Sequence, residues 1–489
     1  MSDYSQIVEF FKNQTIFITG GNGLVGKLIL EKLLRTCWDL KKIYLLMRPK
    51  KGKSPEQRFS DLFTNPCFES IKGKNFKSKV VLICGDCNQP GLGINSEDVD
   101  ILKKETTCIF HIAANVNFLQ TIKEASYNVS CTKEMIKLAK EMENLKVFVY
   151  VSTAYSNCFN SHICEEIYKP PIKAEEFLDL VNSCNEDDLE NTLLPYLKNF
   201  PNNYLFSKCL SEDLIKSSTT GIPTAIIRPA IITNTIKEPI PGYTDNYYGV
   251  IGVTAGVYIG IIRCFYSKKG KRLDLVPADV VSNCILAATW QTANSKSLTV
   301  YNCVGEKILL EKLINLVAPL YEEFPSTKYL WYKGFTLTES KFLYNVSSLW
   351  YMSLTHVVDF LSARFGKSYN MAAKFNKIHK SLSVLSYFTS REWTFDEGNF
   401  MNLWFKMGDT DRRMFPFHFR TIPWHQYLFD CVLGIRLYLL QDPISTLPKG
   451  KAKLKKLRGL HYAFVGFIIL YCLRICRTFA SKIILMLQQ

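Results

Sequence analysis

No disulfide framework can be read from this chain, although it holds 16 cysteines in 489 residues. They are scattered, as expected of a protein kept in a reducing compartment. The one close pair, Cys84-Gly85-Asp86-Cys87, has no second pair to complete a metal site, and no metal is expected. Met1-Ser2-Asp3-Tyr4 offers neither a basic n-region nor an apolar h-region, so no signal peptide is expected. Sequons at Asn13, Asn128 and Asn345 match by pattern alone. Internal repeats and nucleic-acid reading modules are both missing. Nucleic acid is therefore not an expected partner, despite 60 basic residues against 44 acidic and a net charge of +16. That excess favours other anions, such as a phosphorylated cofactor or an acidic lipid surface. A hydrophobic content of 47% and a mean hydropathy near zero exclude a disordered chain and a multi-span transporter.

What is present in the first half is alternation. Short apolar runs at Thr15–Thr19, Ile43–Met47, Val80–Cys84, Cys108–Ile112 and Val147–Ser152 read as buried strands. Helix-length segments such as Leu24–Thr36 and Ile122–Glu141 separate them, which argues for a parallel sheet covered on both faces. A polar, acidic stretch from Asn160 to Asn203 reads as an insertion over the site. A further strand is expected over Thr224–Ile232, then loops and a helix between Pro241 and Gly260. After about residue 340 the pattern turns helical and aromatic-rich. The expected class is α/β: a doubly wound parallel-sheet Rossmann domain over 1–335, a separate mostly helical domain over 340–445, and a tail over 446–489.

In the tail, six of the ten residues from Lys449 to Arg458 are basic, and Leu460 to Leu473 then runs fourteen residues without a formal charge. Arg474, Arg477 and Lys482 follow among apolar residues. Fourteen falls short of the ~20 residues that span a bilayer. A basic run directly before an apolar one still suits anionic headgroups beside an inserted helix, so membrane attachment is expected, either spanning or in the interface.

The chemistry begins at Thr19-Gly20-Gly21-Asn22-Gly23-Leu24-Val25-Gly26, which follows the first strand and opens a helix. Gly20 permits the tight turn, Gly23 lets backbone approach a pyrophosphate, and Gly26 permits close helix–sheet packing. At the end of the second strand, where a carboxylate would suit NAD, stands Arg48 with Lys50, Lys51 and Lys53 behind it. That suits the 2′-phosphate of NADPH. Asp86 after the third strand, and Ala113 in His111-Ile112-Ala113-Ala114 after the fourth, are expected adenine and ribose neighbours. His111 itself reads as structural.

Tyr204 and Lys208 stand four residues apart and so share a helix face. Tyr204 can donate a proton to a carbonyl oxygen, and Lys208 is expected to lower the phenol's pKa from ~10 and to hold the nicotinamide ribose. Thr153, with Ser152 as the alternative, ends the fifth strand and can polarise the carbonyl. A second Tyr-x-x-x-Lys, Tyr329 to Lys333, has no such strand end upstream and reads as packing.

These residues resemble the fatty acyl-CoA reductases, a membrane-associated branch of the extended short-chain dehydrogenase/reductases. The match runs through Thr19–Lys27, Leu45–Lys51, His111–Phe118, Asn128-Val129 with Thr132, Val151–Tyr155 and Tyr204/Lys208. It continues through Arg228-Pro229, Pro241–Asn246 and Val276–Asn283, then Tyr387-Phe388-Thr389, Glu392–Phe395, Asp411-Arg412 and Gly434–Leu439. Asn22, Asn117 and Ala230 depart from the family's usual threonine, arginine and serine, and the stretch around His356–Asp359 is shortened. The resemblance implies reduction of a long-chain acyl-CoA to a primary alcohol with two NADPH through a bound aldehyde. It places Asn128 among the cofactor contacts. It also implies a cytosol-facing catalytic domain on the endoplasmic reticulum or peroxisome membrane. Another extended-family enzyme, acting on a sterol or nucleotide sugar, or a non-catalytic lipid-binding scaffold, stays open at this point. Chain length and oligomeric state are not readable.

Overall fold

Seven strands pair into one parallel sheet whose central members are buried on both faces, while the edge strand Val80–Cys84 is half-buried. The strands are β1 Thr15–Thr19, β2 Lys42–Met47, β3 Val80–Cys84, β4 Cys108–His111, β5 Val147–Val151, β6 Thr224–Pro229 and β7 Leu298–Cys303. Their order is β7-β6-β5-β4-β1-β2-β3, and every pair is parallel. The computed structural model describes residues 4–332, 334–366, 369–418 and 421–487.

Side chains alternate between two cores along each strand. Ile16, Ile18, Val147 and Val149 pack with helices α1 (Leu24–Thr36) and α4 (Ala278–Ser295) on one face. Phe17, Phe148 and Tyr150 pack with α2 (Ile122–Lys140) and α3 (Asn203–Ser218) on the other. Strand order reverses between β1 and β4, so a crevice opens beyond their carboxyl ends, where such sheets bind ligands.

The run expected as one strand over Thr224–Ile232 is two. β6 ends at Pro229, the Ala230 N–H closes on the Cys303 carbonyl at 3.1 Å, and Ile231–Thr233 leaves to pair with Arg272–Pro277 in a second, three-stranded sheet. The insertion forms a short strand and two helices, Ala174–Ser183 and Glu186–Leu197. Phe177 and Phe200 pack edge-to-face on Phe206 at 5.4 and 5.3 Å, so this part supports α3 on the flank opposite Tyr204.

Beyond Lys341 the chain is helical, with α5 (Lys341–Arg364) and α6 (Met371–Thr389) forming an antiparallel pair. The region expected to stand apart shares the sheet's core. Phe388, Trp393, Phe400 and Phe415 belong to the same buried cluster as β1 and β5. Thr394–Phe395 pairs with His162–Ile163, and buried Asp411 accepts from Ser5 Oγ and from the Gln6 and Ile7 backbone N–H groups. The tail is one helix, α7 (Leu447–Leu487), about 60 Å long at 1.5 Å per residue. Part of Ile444–Thr478 is long and apolar enough to cross a membrane, and none of that window is buried.

Candidate active site

The glycine turn is held tight against the end of β4. Gly20 has φ +78°, and a Cβ there would meet the Ala113 backbone at 2.6 Å. A Cβ on Gly26 would collide with the Gly20 carbonyl, so α1 starts directly on the turn. Gly23 caps α1 without a side-chain acceptor, which leaves first-turn N–H groups for an anion. Leu24 is buried and Val25 half-buried beneath this turn, while Asn22 lies at its bend. Thr19 Oγ1 accepts from Ala113 N at 3.3 Å and bonds His111 Nδ1 at 2.8 Å. Burial, then the Lys208 charge, push His111 down to about 3, so its imidazole is neutral and structural.

At the end of β2, Arg48 pairs with Asp86 at 3.3 Å, and Arg58 donates to the Arg48 carbonyl. Burial first, then the charges of Arg48, Arg58 and Lys51, lower Lys50. Four cations thus crowd one rim of the crevice, a surplus that a phosphate relieves. Arg58 escaped the sequence reading because it sits one helix further along the chain, with no motif to mark it.

Asn128 joins three segments. Its amide donates to Ser207 Oγ at 3.0 Å and to the Asn115 carbonyl at 3.2 Å, while its oxygen accepts from Asn115 N at 2.8 Å. It therefore ties α2 and the loop after β4 to α3, the helix of Tyr204 and Lys208.

Lys208 is buried, and its ammonium donates to the Val151 carbonyl at 2.6 Å and to the Tyr150 hydroxyl at 3.2 Å. It also lies 4.5 Å from the Tyr150 ring centre. Burial brings it down to about 7, against the opposing pull of Glu212. The expected lowering of Tyr204 by Lys208 is not found: burial pushes the phenol well above its usual range. The ammonium is turned toward β5, so Tyr204 keeps its proton. Thr153 Oγ1 reaches the Pro229 carbonyl at 3.4 Å and accepts from Tyr155 N at 3.3 Å. The Ser152 hydroxyl is committed elsewhere, donating to Glu212.

Glu212 anchors a buried network that sequence reading missed. It pairs with Arg228 at 2.7 Å, with both side chains shut from solvent, and accepts from Ser156 at 3.0 Å. Arg228 also donates to the Cys164 and Glu166 carbonyls. The signal was available: a lone arginine inside Ile226–Ile232, and a glutamate one turn beyond Lys208.

An aromatic wall completes the site. Phe118 stacks on Tyr204 with centroids 5.7 Å apart and on Phe388 at 5.8 Å. Tyr155 meets Phe388 and Trp393 edge-on at 5.2 and 5.3 Å. In the second Tyr-x-x-x-Lys, Tyr329 is buried and donates to the Tyr321 carbonyl at 2.6 Å, while Lys333 lies outside the described residues.

The start of α1 can take a dinucleotide's pyrophosphate on its free N–H groups, and a buried tyrosine with a lysine one turn along can pass a proton, which is the equipment of a nicotinamide-dependent reductase. Residues 18–285 match the NAD-binding family model described as male sterility protein, and residues 350–442 match a second model of the same description. The chain is 36% identical over 472 residues to fatty acyl-CoA reductase wat of Drosophila melanogaster, covering 94% of this chain and 91% of that protein. Against human fatty acyl-CoA reductase 1 it is 31% identical over 483 residues, covering 96% and 93%. The terminal R domain of the myxalamid PKS-NRPS pathway shares the fold with a TM-score of 0.58 at 19% identity, over 87% of this chain and 91% of that one. The reductase domain of a Mycobacterium tuberculosis nonribosomal peptide synthetase does so at 0.58 and 17%, over 87% and 92%. The chain belongs to the fatty acyl-CoA reductase family.

Proposed function

We propose that this enzyme reduces long-chain fatty acyl-CoA to a primary alcohol and free CoA, consuming two NADPH and two protons at one site. One observation supports the reading: buried Tyr204 stacks on an aromatic wall, and Lys208, one turn along the same helix, bonds the end of β5. When bound, the reduced nicotinamide supplies hydride to the thioester carbonyl carbon and then to the aldehyde carbon. Tyr204 hands its proton to the carbonyl oxygen as negative charge builds there. Thr153 polarises that oxygen from the end of β5. Collapse of the thiohemiacetal breaks the carbon–sulfur bond and releases CoA thiol. Phe118, Tyr155 and Phe388 exclude water and hold the acyl chain, so the aldehyde stays for its second reduction.

NADPH rather than NADH is supported by the cations at the end of β2. Replacing Arg48 by Ala should weaken NADPH binding by about 1.5–3 kcal/mol and leave NADH nearly unchanged, because one charged hydrogen bond is lost. Equal loss for both cofactors in a binding titration would reject the 2′-phosphate assignment. Membrane attachment through α7 is supported by its unburied apolar stretch. The unpaired thiols suit a reducing cytosolic face, on endoplasmic reticulum or peroxisome.

The deciding experiment is product analysis with NADPH and a panel of long acyl-CoAs, wild type beside Tyr204→Phe. Wild type should form alcohol, and the variant should lose about 10²–10⁴-fold in kcat. Alcohol formed at an undiminished rate by the variant would remove Tyr204 from the mechanism.

A further inference from the structure

The exposed apolar surface of this protein does not end with the tail. From Phe342 to Val358, α5 carries no formal charge. Phe342, Leu349, Trp350, Val357, Phe360 and Leu361 are each between 47% and 74% exposed. At about 100° per residue they fall within roughly half the helix circumference. The opposite side holds the buried Tyr344, Ser348 and Ser362, and packs on α6. Asp359 turns to that packed side, where it accepts from the Met371 and Ala372 N–H groups at 2.8 and 2.9 Å and caps α6. The helix is amphipathic with its apolar side outward. Exposed Ser353 lies among them on the same face, and six large apolar side chains exposed together on a folded protein mark an interaction site.

Its neighbour identifies the occupant. Arg263 donates to the Tyr332 carbonyl at 2.6 Å and covers the Tyr351 ring of α5 at 5.5 Å. Tyr332 lies against His461 with centroids 5.4 Å apart, and Trp331 Nε1 donates to His461 Nδ1 at 3.2 Å. His461 is the second residue of the uncharged run of α7. The middle of α5 is thus one arginine away from the point where the tail leaves the protein. Around the apolar face stand cations: Lys341 and Arg364 at the ends of α5, and exposed Lys374, Lys377 and Lys380 on α6. Lysines are depleted at protein interfaces and suit anionic headgroups.

We propose that the outer face of α5 lies in the interfacial layer of the same bilayer that takes α7, giving the enzyme a second membrane contact. The inference rests on reading α7 as the anchor. It fixes the orientation of the catalytic part, because two contacts define a plane where one defines only a pivot. The companion helix α6 then runs from the bilayer side to Phe388 at the aromatic wall.

The test uses the full chain in vesicles of phosphatidylcholine and an anionic phospholipid, with a trace of lipid carrying a photoactivatable group in its acyl chain. Labelled peptides are mapped by mass spectrometry. Residues 342–361 and 460–478 should both carry label, at about five-fold or more over the exposed acidic helix Glu186–Leu197, as interfacial helices sink ~5–10 Å. Label confined to the tail overturns the proposal and leaves the anchor standing. Label on α5 without the tail overturns the anchor and with it the two-contact orientation proposed here. Cross-links between copies through α5, with no lipid label there, make it a self-association surface and overturn the proposal. In Leu349→Glu/Phe360→Glu, α5 label should fall to the reference level while tail label and activity in detergent stay within about two-fold. Unchanged α5 label in that variant also overturns it.

Discussion

The β5–α3 layer and helix α5 draw on the same apolar residues and keep opposite company. In the first, Phe148, Tyr150, Leu210 and Leu214 are shut from solvent between strand and helix. In the second, Leu349 is 65% exposed and Phe342 74%. One layer is solvated by its own protein, while the other awaits a different solvent. Apolar content therefore says that a segment avoids water without saying what it meets instead. The sheet needs its apolar residues for folding, and on the reading proposed above α5 and α7 use theirs for placement.

The contrast can be broken hardest at its polar centre. Glu212→Ala leaves the Arg228 guanidinium buried without its carboxylate, and should destabilise the detergent-solubilised protein by about 3–5 kcal/mol. A thermal midpoint within error of wild type would show that the pair contributes nothing to the layer. One substitution made twice sharpens the comparison further. Leu210→Ala should cost about 2–5 kcal/mol in detergent, whereas Leu349→Ala should stay within about 0.5 kcal/mol. Equal losses at the two positions would mean that α5 is packed by protein after all.

Between the two regions stands Phe388. Its truncation to alanine should raise KM for long acyl-CoA about ten-fold by removing an aromatic contact worth ~0.5–1.5 kcal/mol beyond its buried area. Cofactor affinity should not move. A change in NADPH affinity with unaltered KM would take Phe388 out of the acyl site.

The smallest effect is a proton. Lys208, held at about 7 by burial against its ordinary 10.5, is mostly neutral in the free protein at pH 8. Because the unfolded chain keeps that proton, the free protein gains stability as pH rises from about 7 toward 10.5. Bound phosphates pull the pKa back up, so NADPH binding at pH 8 should take up as much as one proton. Calorimetry in buffers of different ionisation enthalpy measures it, and a slope of zero would place Lys208 outside the reach of the cofactor's charge.

Strands β1 and β3 were legible to the residue because buried parallel strands need unbroken apolar runs. The glycine turn was legible because only glycine allows the backbone at Gly20 and Gly26 to come so close. Two features left no local trace. The stacking of Phe118, Tyr204 and Phe388 joins residues far apart in sequence, and packing at that range has no period. The outward face of α5 was hidden for another reason: helical periodicity reveals that a helix has two sides, not which side meets solvent. Lys208 misled because its spacing from Tyr204 puts both on one helix face, yet its flexible stem let the ammonium find the Val151 carbonyl instead.

The aromatic wall also has a history within each molecule's synthesis. Tyr204 and Phe388 are about 180 residues apart, a delay of roughly 10–40 s at ~5–20 residues per second. For that interval the nascent chain carries Tyr204, Lys208 and the crevice with one side missing. The last contributor, Trp393, precedes His461 at the start of the tail's apolar run by fewer than 70 residues. Completion of the site and arrival of the proposed anchor thus come within seconds of each other, so on that reading an unattached chain has little time as a finished enzyme.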